Sequence, residues 1–208
     1  MNGVFCIESF WYGDHRDTTT VYPILDLIHR FNKMPYLHHR CGTIAEFKFS
    51  IIRWKTQSFH KNYPLLYLAV HGEKGVIKIG GEKISLNELA ELLGTKCQGV
   101  VIYFGSCETL DIDQRQLKSF IEKTKVLAIL GYKEEVGWLK SASFDINVLD
   151  YLLNKDHPFD SQGILKIKQN IMTDCKSQVK DLKFRMIINE QTHFPRKRKT
   201  KKITPLIN

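Results

Sequence analysis

Two apolar runs in this chain each stop on a chemically reactive residue. Leu65-Leu66-Tyr67-Leu68-Ala69-Val70 ends in His71-Gly72, and Val100-Val101-Ile102-Tyr103-Phe104 ends in Gly105-Ser106-Cys107-Glu108-Thr109. Short continuous apolar runs bounded by Gly, Pro or Ser read as strands buried on both faces, the kind found in parallel sheets. In open α/β sheets the ligand crevice lies at the carboxyl ends of the strands. The runs therefore predict a His and a Cys meeting in one crevice, the arrangement of a thiol nucleophile with its base.

The elements around these runs alternate. Val4–Phe10 reads as a strand. Thr20–Asn32 carries a helical stripe (Val21, Ile24, Leu25, Ile28, Phe31), with Pro23 tolerated in the first turn. Tyr36–Arg40 reads as a strand, Ile44–Trp54 as a helix, and Pro64 opens a strand ending at His71. Gly80-Gly81 between Val76–Ile79 and Lys83–Ser85 signals a hairpin, and Asn87–Leu93 a short helix stopped by Gly94. Beyond the Val100–Phe104 strand come a helix over Asp113–Glu122, a strand over Val126–Leu130 and an amphipathic helix from Trp138 to about Leu153. A final helix covers about Ile164–Val179 and a last strand Leu182–Ile188. Such alternation predicts a three-layer α/β/α fold with a mostly parallel central sheet. It assigns residues 1–190 to one domain and 191–208 to a basic, disordered tail.

Hydrophobic content of 43% in 208 residues supplies a full core, which excludes global disorder. The net charge of +9 is concentrated at one end: Arg196, Lys197, Arg198, Lys199, Lys201 and Lys202 leave about +3 for the rest. The body thus has no nucleic-acid footprint, while the tail suits an acidic surface or nucleic acid. Five scattered cysteines without CxxC spacing point to a reducing compartment rather than a disulfide framework. No run approaches the ~20 apolar residues of a membrane span. These features predict a soluble cytoplasmic protein.

Cysteine catalysis needs a thiolate, a base to move its proton and donors for the oxyanion. Cys107 and His71 supply the first two. Gly72 leaves its N–H open to a substrate carbonyl, and the N–H of Cys107 is the second donor. Glu108-Thr109 leads towards a helix whose N-terminal dipole is expected to favour the thiolate. Glu8 and Asp14, after the first strand, suit a basic substrate side chain, or else belong to a solvated loop of mixed charge. Trp138 either walls the cleft or covers the core edge. His38-His39 with Cys41 does not make a metal site, because neighbours in a strand point to opposite faces. Nothing in this chemistry calls for a cofactor.

These residues resemble the caspase-like cysteine peptidases (clan CD), most closely the CHAT-domain group. The resemblance rests on Ala69-Val70-His71-Gly72, on Ser106-Cys107-Glu108-Thr109, and on Leu127–Tyr132 followed by Val136-Gly137-Trp138. In that order, on those elements, it spans about Val4–Ile188. It implies a thiol protease, a cysteine endopeptidase acting on a protein substrate, with Gly105 and Trp138 near the bound side chain. Gly105 stands where caspases carry Gln and metacaspases Asp, so no cleavage-site preference carries over. Only 19 residues separate Cys107 from Val126, which leaves no room for a cleavable maturation linker. With no sensor domain expected ahead of the first strand, the resemblance implies control by a regulatory partner protein, in a prokaryotic stress or defence setting. The alternative is a catalytically silent module that binds a partner through its cleft or its basic tail.

Overall fold

The computed structural model describes residues 3–12, 16–153 and 157–190. In chain order its elements are β1 (Val4–Ser9), α1 (Tyr22–Asn32), β2 (Tyr36–Cys41), α2 (Ile44–Thr56), α3 (Phe59–Asn62), β3 (Leu65–Ala69) and β4 (His71–Glu73). Then follow β5 (Val76–Ile79), β6 (Glu82–Ser85), α4 (Leu86–Leu93), β7 (Val101–Phe104), α5 (Gln114–Thr124) and β8 (Ala128–Tyr132). The last are α6 (Trp138–Leu153), α7 (Ser161–Asp174), α8 (Lys176–Asp181) and β9 (Phe184–Ile188).

The apolar runs form a six-stranded sheet in the order β2-β1-β3-β7-β8-β9, parallel except for β9. Both faces are covered, as fully apolar strands require. Val4, Cys6, Tyr67, Tyr103 and Tyr132 face the side packed by α1, α6 and α7. Phe5, Ile7, Leu66, Leu68, Ile102 and Phe104 face the side packed by α2, α4 and α5. Together these make three layers, α/β/α. Chain order reverses between β1 and β3, the switch point at which such sheets open a crevice at their carboxyl ends.

Local chemistry sets the helix starts. Thr43 with Glu46, and Ser85 with Glu88, form capping boxes at α2 and α4. Gly80 and Gly81, with φ of +56° and +85°, make the tight link from β5 to β6 that a side chain would oppose.

Several boundaries differ from the sequence expectation. The strand expected to reach His71 ends at Ala69; the chain bends at Val70, and His71 opens a separate antiparallel sheet, β4-β5-β6. The last long helix is split at Cys175: α7 buries Ile164, Ile167 and Ile171, whereas α8 buries no residue and so has no apolar stripe to continue. α3, a single turn with no buried residue, offered no periodicity to read. The six tail cations and Asp14 lie outside the described residues. Among the described residues no helix is long and apolar enough to cross a membrane.

Candidate active site

The crevice is built from three strand ends. Trp11 follows β1, His71 follows β3 and Cys107 follows β7, and all three line one cavity of about 240 Å³ with Tyr67, Gly105, Tyr132, Glu135, Trp138 and Asp145. Cys107 is half-buried; the other four cysteines are buried.

His71 is oriented by a main-chain group. Its Nε2 lies 2.6 Å from the carbonyl oxygen of Trp11. A carbonyl only accepts, so Nε2 carries the proton and the lone pair of the neutral ring is left on Nδ1. The Trp11 indole packs edge-on against the imidazole at 5.2 Å and against Trp138 at 5.9 Å. Trp138 therefore belongs to the cleft wall.

Glu8 holds the Trp11 loop. Its fully buried carboxylate accepts from Trp11 Nε1 (2.6 Å), Thr20 Oγ1 (2.7 Å) and the Val21 N–H (2.9 Å), and pairs with His38 Nε2 (2.7 Å). Burial alone would push this carboxyl up, but the hydrogen bonds from His38, Thr20, Trp11 and Val21 outweigh it and hold the group below the usual carboxylate range. Glu8 does not line the cavity, which corrects the expectation that it meets a substrate. It acts on the crevice through Trp11. His38 thus turns to Glu8, while His39 packs on the opposite face against Phe5 at 5.2 Å.

The cysteine loop is pinned to the β4–β6 sheet. Ser106 Oγ and Thr109 Oγ1 are 2.7 Å apart and buried, the Thr109 hydroxyl donates to the Val76 carbonyl (3.3 Å), and the Gly75 N–H donates to the Thr109 carbonyl (3.2 Å). Glu108 sits in the left-handed region at φ +53°, an energetically costly turn held directly after the cysteine. Among the described residues the Cys107 N–H donates to no acceptor, which leaves it available to an oxyanion. α5 starts where it was expected, at Gln114 with Asp113 as its cap, beyond the loop that holds Cys107.

Two glycines are required by close approach. A Cβ on Gly72 would fall 2.2 Å from Thr109 Oγ1 and 2.3 Å from the Cys107 carbonyl oxygen, and one on Gly105 would fall 2.6 Å from the Tyr67 ring. Gly72 thus lets β4 dock on the cysteine loop. Because a backbone carbonyl cannot swing aside, Gly72→Ala is expected to cost about 1–3 kcal/mol in a urea melt, and to slow thiol modification of Cys107 as the loop shifts. An unchanged midpoint would show that the docking is slack.

The cavity floor holds a residue that sequence reasoning missed. Asp145, on α6, is buried and accepts a hydrogen bond from Tyr67 on β3 (3.0 Å) and from Tyr103 and Tyr132 on β7 and β8, whose own hydroxyls are 2.9 Å apart. Burial pushes the Asp145 carboxyl up, and the three hydroxyls pull it part of the way back. Burial and the nearby carboxylate push all three phenols well up, so they remain donors. A signal was present: Asp145, Val148, Leu149 and Leu152 fall at i, i+3, i+4 and i+7, so the acid lies within the buried stripe.

No curated protein matches this chain. The model of a family of unknown function, DUF6642, matches residues 2–188, and the chain belongs to that family.

Proposed function

We propose that this protein is a caspase-like cysteine endopeptidase whose nucleophile is Cys107 and whose base is His71. The reading rests above all on the Nε2-to-Trp11 hydrogen bond, which assigns the free lone pair of His71 to Nδ1 in a cavity that also contains the most exposed thiol among the described residues. In the reaction, Nδ1 takes the Cys107 proton as Sγ attacks the scissile carbonyl carbon. The N–H groups of Gly72 and Cys107 hold the resulting oxyanion. As the C–N bond breaks, Nδ1–H returns the proton to the departing amine, and water then hydrolyses the thioester. The Trp11 carbonyl fixes the ring and supports the transient imidazolium. Gly105 bares the Tyr67 ring on the cavity wall, and Trp138 covers its side.

The test is covalent capture. A peptidyl acyloxymethyl ketone library, mixed at the residue next to the ketone, is expected to alkylate Cys107 alone by mass spectrometry. Burial pushes the thiols of Cys6, Cys41 and Cys175 up, and that of Cys97 up to about 11, so these four stay protonated and shielded. Labelling spread equally over Cys107 and Cys175, or no labelling at all, refutes the proposal.

A further inference from the structure

Asp145 is a carboxylate without a cation. Its partners are three tyrosine hydroxyls, and no salt bridge reaches it among the described residues. A buried carboxylate lacking a counter-charge is costly, and hydroxyls compensate it only in part. Yet Asp145 lies at the wall of an open cavity rather than sealed in the core, and the cavity supplies what is missing: room for a cation. Two of the described lining residues, Asp145 and Glu135, are acidic, and neither Lys nor Arg is among them, in a chain of net charge +9. Around the floor stand the rings of Trp11, Trp138, Tyr67 and Tyr132, the surfaces on which a planar cation stacks. Each carboxylate oxygen can accept about two hydrogen bonds. Oδ1 is occupied by Tyr103 and Tyr132, whereas Oδ2 receives only Tyr67 and keeps an acceptor site free. At about 240 Å³ the cavity is smaller than the ~300–1,000 Å³ of a small-molecule site, a size for one long side chain.

We infer that this cavity is the pocket for an arginine side chain of the substrate, with the guanidinium directed at Asp145 and Glu135 at the rim. The assignment rests on the peptidase reading, in which the pocket next to Cys107 receives the residue before the scissile bond. Arginine fits better than lysine, because its flat, weakly hydrated head stacks on aromatic rings and still donates to a buried oxygen. Acidic side chains would meet two carboxylates. Neutral ones would leave the floor uncompensated.

The experiment is a binding comparison that needs no turnover. Calorimetry on the full-length Cys107→Ala chain compares acetyl-tetrapeptide amides ending in arginine, norleucine or glutamate. The arginine peptide is expected to bind roughly 30-fold more tightly than the norleucine peptide, as befits a buried charge pair, and the glutamate peptide more weakly than either. An arginine peptide that fails to bind, or binds no better than norleucine, overturns the inference. Asp145→Asn keeps an amide oxygen for Tyr103 and Tyr132 and is expected to erase the preference. Survival of that preference in a folded Asp145→Asn chain also overturns it. Should Asp145→Asn fail to fold, the peptide comparison on the intact floor decides alone. The wild-type chain is assayed on the same sequences extended past the arginine. Binding preference without turnover refutes the peptidase reading and leaves the arginine pocket standing, whereas turnover without preference does the reverse.

Discussion

Cys107→Ala is expected to abolish peptide cleavage, His71→Ala to come close to doing so, and the double variant to be no worse than the stronger single one. The loss in kcat/KM should be about 10⁴-fold or more, the scale seen when a nucleophile or its base is removed, and non-additive because the two groups perform a single proton-coupled attack. Neither change should disturb the fold. His71 is exposed at the cavity mouth and Cys107 is half-buried, so little packing is lost in either variant. Melting curves of all three variants should therefore overlay that of the parent. Cleavage by Cys107→Ala at the parent's rate would rule out the thiol as nucleophile. A His71→Ala chain with full activity would remove the base from the scheme, and with it the significance of the Trp11 hydrogen bond.

Asp145→Ala is expected to be among the most destabilising single changes in the domain. It strips the acceptor from three buried tyrosine hydroxyls on three adjacent strands and takes away the link between those strands and α6. An orphaned buried donor costs about 1–3 kcal/mol, and one of the Tyr103 and Tyr132 hydroxyls, 2.9 Å apart, can then donate to the other, so a net loss of about 3–5 kcal/mol in urea unfolding follows. Tyr67→Phe removes one of these bonds together with its donor and should cost only about 1 kcal/mol. The pH dependence has a definite sign. Because burial raises the Asp145 carboxyl in the folded chain, its favourable contribution is complete below the ordinary value of about 3.9 and declines as pH rises through the raised folded value. The non-ionising Asp145→Asn should lack that decline. An Asp145→Ala midpoint equal to the parent's would mean that the tyrosines find water instead and that the network carries no stability.

Loop geometry was the least legible layer. Glu8 looked like a substrate contact because it stands near the end of the first strand, beside a charged loop. Its burial under Trp11, Thr20, Val21 and His38 depends on residues up to 30 positions away. The orienting group for His71 is a main-chain carbonyl, which every residue possesses and no residue type advertises. The sequence placed a helix from Asp113 but left the conformation of the interval after Cys107 open. The chain spends it on a left-handed residue and on the Ser106–Thr109 contact that docks the β4–β6 sheet.

The layers themselves were determined by local chemistry. Continuous apolar runs can satisfy both faces only inside a parallel sheet, the 3.6-residue stripes dictate the helices between them, and the glycines and capping residues mark where each stops. That pattern alone placed His71 and Cys107 at the carboxyl ends of two neighbouring strands. Only the tertiary structure decided which proton the imidazole holds, because that depends on where a distant carbonyl comes to rest. It alone also turned an acid in the apolar stripe of α6 into the floor of a cavity, because a helix side chain acquires its partners when three strands place their hydroxyls beneath it.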